Sequence, residues 1–388
     1  MTRSVSTLVI GGGVIGASVA WHLQQRGMRD VLVVDASPGP GHGSTGRATG
    51  GYRGQFANTI NVQLSLLSRA KLRRFAEDTG VDPGYRAVGY LFLLDDAPAL
   101  DAFREARAIQ HAAGLTEAVE LTLDEAQRIN PQVEMDGVRG AAWCPTDATI
   151  RPLQILGGYL DAAQRGGVRV QWNTPVQGME RGADGRIRHV TANGERLAVD
   201  TVVNAAGAWS APIAAMAGVP LPVKPTRRQI AVTEPLTTLD DGFPMTIWAR
   251  DAFHLRVRDG RALLNWPVDT PRDDPYALDV DQPLVDAVWK LAQERVPAMR
   301  TSALDPQAHW VGLYEMSPDK TVILGRAPGC DNMVLVNGSS GHGVMHSPIL
   351  GQLVSEIICD GAAQALDVHP LRPARFAEGD ALPLSGML

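Results

Sequence analysis

Two glycine-rich turns lie near opposite ends of the chain, and an apolar helix is predicted after each. The first turn contains Gly11-x-Gly13-x-x-Gly16. At this spacing the first glycine allows a sharp bend, the second lets the backbone approach a pyrophosphate, and the third lets helix and strand pack closely. The first helical residues, Val14 and Ile15, add free N–H groups and a positive dipole end. The turn therefore predicts phosphate binding.

The residues around this turn predict a dinucleotide rather than a simple phosphate. A buried strand is expected at Val5–Ile10, a helix at Val14–Arg26, and a second strand at Val31–Asp35. A carboxylate at the end of that strand can accept hydrogen bonds from ribose hydroxyls. No arginine follows Asp35 to bind a 2′-phosphate, so NADP is disfavoured. Asp35 alone leaves FAD and NAD open.

The second turn, Gly338–Gly343, favours FAD. A flavin ring lies far from its adenine and needs its own hydrogen-bond donors near N1 and O2 when it is reduced. A turn that leads into a helix can supply them. No second GxGxxG motif is present for a separate pyridine nucleotide, so electrons should come from an organic substrate. Taken alone, these glycines are equally compatible with an ordinary tight turn.

The elements that must position the turns divide the chain into two interleaved parts. The predicted fold is α/β, with a Rossmann-like FAD-binding domain interleaved with an α+β substrate domain on a mostly antiparallel sheet. A loose tail is expected from Pro370 onward. The proposed ranges are 1–84, 146–222 and 325–370 for the FAD-binding domain, 85–145 and 223–324 for the substrate domain, and 371–388 for the C-terminal tail.

Composition restricts the partners. The 388 residues suggest about two domains. The net charge is −6 and there is no dense Lys/Arg block, which argues against a nucleic-acid partner. The three cysteines lie far apart, so neither a disulfide framework nor a metal site is expected. Residues 1–6 are too short for a secretory signal, and the apolar run 8–21 is too short to insert in a membrane, so a cytoplasmic protein is expected.

Four runs, taken in order, carry a family resemblance: residues 44–53 (STGRATGGYR), 204–210 (NAAGAWS), 312–319 (GLYEMSPD) and 340–343 (SGHG). The chain resembles the D-amino-acid oxidase-like FAD-dependent oxidoreductases over nearly its whole length. Within them it is most similar to the branch of sarcosine oxidase, dimethylglycine dehydrogenase and the proline dehydrogenase β-subunit. The resemblance implies FAD-dependent oxidation of the C–N bond of a small, secondary or N-methylated amino acid, by hydride transfer to flavin N5. The product would be an imine that hydrolyses.

The resemblance also implies site residues. Arg53 aligns with the arginine that binds the substrate carboxylate in monomeric sarcosine oxidase; a surface or phosphate-facing arginine is the alternative. Arg256 is the second candidate for that role. Tyr314 could form an aromatic wall, and His342 or His254 could act as acid or base, although His342 could contribute only its backbone. The predicted cofactor contacts are Gly11, Gly13, Val14, Ile15, Gly16, Asp35, Ala36, Ser44, Thr45, Arg47, Ala48, Thr49, Gly50, Gly51, Val176, Ala206, Gly207, Trp209, Gly312, Leu313, Gly338, Gly341, His342, Gly343, Val344 and Met345.

The chain departs from the family pattern at several positions. Gly312 and Arg47 stand where relatives attach their flavin through cysteine or histidine, so FAD is expected to be non-covalent. Met345 and Leu264 replace lysines, which leaves O2 or another electron acceptor open. Two alternatives remain: a flavin-binding subunit of a hetero-oligomeric dehydrogenase, and an NAD(P)H-dependent hydroxylase. A homo-oligomer is also possible.

Overall fold

The computed structural model describes residues 3–384 and contains two large sheets with helices packed against them. The helices are α1 (Val14–Gln25), α2 (Thr59–Thr79), α3 (Ala97–Ala112), α4 (Leu123–Ile129), α5 (Pro152–Arg165), α6 (Ser210–Met216), α7 (Gln282–Arg295) and α8 (Gly343–Cys359). The strands are β1 (Arg3–Ile10), β2 (Val31–Val34), β3 (Gly51–Tyr52), β4 (Tyr90–Leu94), β5 (Val119–Leu121), β6 (Gly140–Cys144), β7 (Ala148–Thr149), β8 (Arg169–Gln171), β9 (Val176–Arg181), β10 (Ile187–Ala192), β11 (Glu195–Asn204), β12 (Lys224–Val232), β13 (Met245–Trp248), β14 (His254–Arg258), β15 (Arg261–Asn265), β16 (Trp310–Met316), β17 (Ile323–Ala327) and β18 (Cys330–Asn337).

The first sheet is the nucleotide-binding sheet. Its order is β17-β18-β11-β1-β2-β8, with the β9–β10 hairpin paired to β11. Strands β18, β11, β1, β2 and β8 run parallel, and β17 is an antiparallel edge. Parallel strands that are covered on both faces have continuous apolar sequences, as Val31–Val34 does. Helices α1, α5 and α8 pack together, and α1 contacts α8 extensively.

The second sheet has the order β16-β12-β15-β14-β13-β4-β6-β5. Only β13 and β4 are paired in parallel; the other pairs are antiparallel. Alternate side chains lie on opposite faces. One face carries Leu91, Leu255 and Leu264 into a core that includes residues of α7. On the opposite face, Tyr90, Phe92 and Leu94 pack against Phe103 of α3.

The predicted fold class is confirmed, because a mostly parallel sheet is interleaved with a mostly antiparallel one. The first sheet takes its strands from residues 3–34, 169–204 and 323–337, and the second from residues 90–144 and 224–316. The proposed domain boundaries stay a prediction. Strand β17 already begins at Ile323, within the range proposed for the substrate domain.

The expectation of a loose C-terminal tail is wrong for the described residues. Arg375 is fully buried, and its Nε and Nη2 donate to Asp319 Oδ2 and Oδ1 at 2.8 and 2.9 Å. Leu371 is buried as well, and Leu382 N donates to Asp319 Oδ2 at 3.2 Å. Arg375 lies in a proline-rich stretch without periodicity, so its partner 56 residues away could not be inferred. Residues 385–388 lie outside the described residues.

Local signals explain where several helices begin and end. Asn58 caps α2 by accepting a hydrogen bond from Asn61 N at 2.9 Å, and Gly80 ends this helix with φ at 84°. Asp281 caps α7 in the same way, accepting from Leu284 N at 3.1 Å. Over residues 3–384 we find no helix with the length and apolar character needed to cross a bilayer.

Candidate active site

A cavity of about 900 Å³ connects the two glycine-rich turns. It begins at the carboxyl ends of β1, β2 and β11, where open α/β sheets bind their ligands. It continues along the inward face of the second sheet and reaches the start of α8. Its volume falls within the range of about 300–1,000 Å³ that ligand sites occupy. One elongated ligand can therefore contact both turns.

The first turn brings backbone close to backbone. Gly11 has φ at 108°, and a Cβ there would lie 2.3 Å from the carbonyl oxygen of Ala205. A Cβ on Gly16 would lie 1.9 Å from the carbonyl oxygen of Gly11. Gly16 therefore allows close packing of α1 against the turn. It does not line the cavity, although it was predicted to contact the cofactor. Helix α1 starts without a side-chain cap, and Val14 N donates to Thr45 Oγ1 at 3.1 Å.

Asp35 lies directly after β2 and lines the cavity beside this turn. Its Oδ2 accepts from Gly12 N at 2.7 Å, and its Oδ1 accepts from Ser37 N at 2.8 Å. Oδ1 also accepts from Ser37 Oγ at 2.5 Å. These bonds fix the carboxylate, and Oδ2 keeps a further lone pair. The arrangement suits a ribose hydroxyl.

Two arginines donate hydrogen bonds to backbone carbonyls of the segment 48–50 and fix its position. Arg256 Nη1 donates to Thr49 O at 2.7 Å and to Gly50 O at 2.6 Å, and Arg258 Nη1 donates to Ala48 O at 3.3 Å. Arg256 is buried and is not among the described residues that line the cavity. Burial lowers its pKa to about 10, so it remains a cation at neutral pH. This placement contradicts its predicted role as a carboxylate anchor, because its Nη1 is already bound to carbonyl oxygens.

The second turn carries positive φ angles at Gly338, Ser340 and Gly341. A Cβ on Gly341 would lie 2.4 Å from the ring of Tyr314. Helix α8 then begins at Gly343 without a side-chain cap, so its first N–H groups face the cavity end. Gly338 was predicted as a contact but packs against Ser317 outside the cavity lining.

Arg53 and His342 meet at this end of the cavity. Arg53 is 6% exposed, its Nη2 lies 3.2 Å from His342 Nε2, and its Nη1 donates to Gln55 O at 3.1 Å. The guanidinium also lies 4.3 Å from the centre of the Phe56 ring. Burial, and then the Arg53 charge, hold the pKa of His342 well below its usual range. His342 is therefore neutral, and its Nε2 accepts from Arg53, which has no acceptor atom.

Tyr314 and His254 lie on the sheet side of the cavity. His254 Nδ1 lies 2.8 Å from Ala252 O, so Nδ1 carries the proton and Nε2 keeps its lone pair. Burial lowers the pKa of His254, which keeps the imidazole neutral. Tyr52 and Trp248 belong to the hydrophobic cores, and Trp266 packs against one of them.

Sequence reasoning missed several polar residues at the site, among them Arg228, Asn265 and Asp147. Arg228 and Asn265 line the cavity from β12 and β15. Asp147 is buried behind Arg53 and accepts from Gly54 N at 2.5 Å and from Gln55 Nε2 at 3.0 Å. Burial raises the pKa of Asp147 to about 6. The alternation of side chains between the two faces of β12 and β15 was the available sequence signal, but it does not say which face borders the cavity.

Most of the predicted contacts are brought together. Besides Arg53, Tyr314, His342 and His254, the predicted residues that line the cavity are Gly11, Gly13, Val14, Ile15, Asp35, Ala36, Ser44, Thr45, Arg47, Ala48, Thr49, Gly50, Gly51, Val176, Ala206, Gly207, Trp209, Gly312, Leu313, Gly341, Gly343, Val344 and Met345. Gly16, Gly338 and Arg256 are the predicted residues outside this lining.

The residues present fit FAD. A glycine cradle that any Cβ would fill, two uncapped helix starts and the Asp35 carboxylate all border one cavity. A Cβ on Gly312 would lie 3.1 Å from Arg47 Cβ, and the described lining contains no cysteine. Within residues 3–384, no cluster of His, Cys, Asp or Glu could hold a metal ion.

Together the fold and the cavity define a dinucleotide-binding oxidoreductase with two interleaved sheets. The model of the family of FAD dependent oxidoreductases (DAO) matches residues 6–357. The chain therefore belongs to this family, and FAD is its cofactor. The resemblance seen in the sequence is confirmed.

Similar proteins agree with this assignment. The FAD-dependent oxidoreductase domain-containing protein 1 of Xenopus laevis is 29% identical, over 95% of this chain and 82% of that protein. Glycine oxidase of Geobacillus kaustophilus is 26% identical, over 97% of this chain and 98% of that protein. The crystal structure of L-proline dehydrogenase from P. horikoshii is 28% identical and superposes with a TM-score of 0.90, covering 98% of this chain and 100% of that chain.

Proposed function

We propose that this protein oxidises the C–N bond of a small amino acid, with a secondary or N-methylated amine as the preferred class. The observation that carries the proposal is the buried Arg53 guanidinium beside His342, at the end of a cavity that begins at the phosphate-binding turn. The similarity to enzymes named for glycine and for L-proline supports an amino acid substrate, and proline is a secondary amine.

In this proposal Arg53 binds the substrate carboxylate. A planar guanidinium can donate two parallel hydrogen bonds to a carboxylate. Stacking on Phe56 and the bonds to Gln55 O and His342 Nε2 hold the side chain in one orientation. Burial in the cavity strengthens the attraction to an anion, because little water screens the charge. The carboxylate is thereby positioned at the end of the second turn.

The surroundings favour a neutral substrate amine. Arg53 and Arg228 carry positive charge at the cavity, while burial keeps His254 and His342 neutral. Nearby cations lower the pKa of a bound ammonium group, which favours the lone pair that the oxidation needs. No protein side chain must then remove a proton from carbon.

Bound FAD would accept the hydride from the carbon next to nitrogen. The chain contributes the lining of the pocket, which includes Tyr314, Met345 and the segment 48–51. Exclusion of water from this pocket would favour the oxidation. The first-turn glycines and Asp35 would hold the dinucleotide end, and the starts of α1 and α8 would face the phosphates and the ring. With neither cysteine nor histidine at Gly312 and Arg47, we propose non-covalent FAD.

An anaerobic substrate screen tests this function. The reconstituted protein is mixed with glycine, sarcosine, dimethylglycine, proline and other amino acids while the visible flavin absorbance is recorded. We expect at least one secondary or N-methylated amino acid to bleach the flavin. If no amino acid bleaches the flavin, the proposed function is wrong. Bleaching by NADPH would then support the hydroxylase alternative. Repeating the reaction in air with peroxide detection identifies O2 or another acceptor as the oxidant.

A further inference from the structure

The phenol of Tyr90 lies at the same end of the cavity as Arg53. Tyr90 begins β4, is 4% exposed and lines the cavity, and its ring packs with apolar side chains of β13 and α3. A Cβ on Gly51 would lie 1.9 Å from Tyr90 Oη. The hydroxyl therefore lies against the backbone of the segment 48–51, which leads directly to Arg53.

This hydroxyl is available to a ligand. Among residues 3–384 it has no hydrogen-bond partner, and the bond from Gln55 Nε2 at 3.3 Å goes to the backbone carbonyl of Tyr90. The hydroxyls of Tyr52 and Tyr85 each donate to a backbone carbonyl oxygen at 2.7 Å, as buried tyrosines usually do. Tyr90 Oη is not one of the side-chain oxygens that the fold encloses without a partner. It therefore remains accessible from the cavity.

The charges around Tyr90 favour an anionic ligand group at its hydroxyl. Gln55 connects Tyr90 to Arg53, because Gln55 O accepts from Arg53 Nη1 at 3.1 Å. Burial raises the pKa of Tyr90 and Asp147 adds to the rise, whereas Arg256 and Arg53 oppose it. Asp147 already accepts two hydrogen bonds from residues 54 and 55. The phenol thus keeps its proton at neutral pH and is a donor near two guanidinium groups, a setting that attracts a carboxylate and repels an ammonium group.

We infer that Tyr90 is a substrate-binding residue, whose hydroxyl donates to the carboxylate that Arg53 binds. Each carboxylate oxygen can accept two hydrogen bonds, so the hydroxyl can bind a carboxylate that the guanidinium already holds. This inference rests on the proposed function and adds a residue to its carboxylate site. Tyr90 positions the substrate and exchanges no proton with it.

A binding measurement with (methylthio)acetate tests the carboxylate contact alone, because this ligand has a carboxylate and no amine. Its binding to the reconstituted protein is followed by the perturbed flavin spectrum. Tyr90→Phe removes the hydroxyl and keeps the ring. We expect the dissociation constant to rise by about tenfold or more, since a hydrogen bond to a charged group is lost. An unchanged dissociation constant would overturn the inference.

Tyr85→Phe is the matched control. It also removes a tyrosine hydroxyl, but one that donates to Thr146 O and lies outside the cavity lining. It should leave the dissociation constant of (methylthio)acetate unchanged. Both variants should keep the flavin-to-protein absorbance ratio of the unchanged protein. Loss of FAD in Tyr90→Phe alone would assign the hydroxyl to the cofactor and overturn the inference.

Anaerobic reduction by sarcosine and by proline separates the carboxylate from the amine. In Tyr90→Phe we expect KM to rise with little change in the limiting rate of flavin reduction, because the contact is the same in the ground and transition states. A rise in KM without weaker binding of (methylthio)acetate would place Tyr90 at the amine instead and overturn the inference. If no amino acid reduces the flavin but Tyr90→Phe still weakens binding of (methylthio)acetate, the proposed function fails and the carboxylate site stands.

Discussion

The buried cations of the site have different tasks because their neighbours differ. Arg53 faces the cavity beside a neutral histidine, whereas Arg256 donates to two backbone carbonyls of the segment behind it. Sequence reasoning treated these two arginines as alternative anchors for the substrate carboxylate. Because their hydrogen-bond partners differ, we expect loss of Arg53 to weaken substrate binding and loss of Arg256 to weaken FAD binding.

Replacing Arg53 by methionine should weaken substrate binding. Losing one partner of a buried charge pair costs about 2–5 kcal/mol, which is a rise of roughly 30-fold to several thousand-fold in the apparent substrate constant. FAD should stay bound, since Arg53 serves the substrate end of the cavity. Flavin reduction at increasing substrate concentration measures the effect. An unchanged constant would remove Arg53 from the anchor role.

Replacing Arg256 by methionine should instead weaken FAD binding. Without the guanidinium, Gly50 O keeps the hydrogen bond from Ile150 N at 2.8 Å, whereas Thr49 O keeps only a weak contact of 3.5 Å with Arg258 Nη1. The poorly satisfied Thr49 carbonyl should cost about 1–3 kcal/mol. The flavin segment should then loosen. The measurement is the dissociation constant of FAD, by quenching of its fluorescence, beside Arg53→Met as the control. Equal retention of FAD in the two variants would contradict this assignment.

At the scale of elements, the strand-turn-helix unit at β1 and α1 depends on close backbone contact. Gly11 has positive φ and no room for a Cβ next to Ala205 O. Gly27 also has positive φ, at 85°, but nothing lies within 4 Å of the position of its Cβ. Comparing a substitution at Gly11 with one at Gly27 therefore separates the effect of backbone strain from the effect of having no room for a Cβ.

Gly11→Ala should abolish FAD retention, because the turn must move away from β11. Gly27→Ala should cost only the strain of a left-handed residue, about 1–2 kcal/mol, and should keep FAD. The ratio of flavin to protein absorbance after gel filtration measures retention. Full flavin content in Gly11→Ala would show that the turn tolerates a side chain.

One buried ion pair attaches the C-terminal segment to the rest of the fold. Arg375 and Asp319 are 0% and 1% exposed, and the following residues Pro383 and Leu384 line the cavity. Asp319 is the last residue of the run 312–319, which is one of the runs that carry the family resemblance. The same run therefore also binds the C-terminal segment. A buried pair of this kind is sensitive to loss of one partner.

Arg375→Met should destabilise the protein by about 3–5 kcal/mol, because it leaves the Asp319 carboxylate buried without its cation. Arg372→Met is the control. Arg372 pairs with Glu378 and Asp380, whose side chains are 50% and 65% exposed, so its loss should cost about 1 kcal/mol or less. Urea unfolding followed by tryptophan fluorescence gives both values. Equal destabilisation by the two substitutions would refute the role of the buried pair.

At the scale of the whole molecule, the inner face of the second sheet and the carboxyl ends of the first enclose one cavity. The folded protein buries several histidines as neutral groups: His254 and His342 line the cavity, whereas His22 on α1 and His346 on α8 are buried outside its lining. Burial lowers the pKa of His22 and of His346 to about 3 each, and it also lowers the pKa of His254 and His342. In the unfolded chain a histidine titrates near 6.5.

Stability should therefore fall as the pH drops from about 6.5 toward 3, because the unfolded chain binds protons that the folded protein does not. Each such histidine contributes up to about 1.4 kcal/mol per pH unit. Asp147 opposes this trend: its raised pKa, about 6, means that the folded state binds the extra proton between about 3.8 and 6. Urea unfolding at pH 7 and pH 5 should show the net loss. His22→Gln, remote from the cavity lining, should reduce the slope, and an unchanged slope would argue against the buried neutral state.

The sequence by itself determined the parts that depend on near neighbours. The βαβ unit, its glycine spacing, Asp35 at the strand end and the apolar helix after the second glycine-rich turn follow from local periodicity and backbone freedom. The tertiary structure alone decided which arginine meets the cavity, which face of β12 and β15 lines it, and how Arg375 finds Asp319. These features depend on groups far apart in the chain, such as Arg256 and Gly50, separated by 206 residues. Their contacts exist only after both sheets have packed, and no periodic pattern records them.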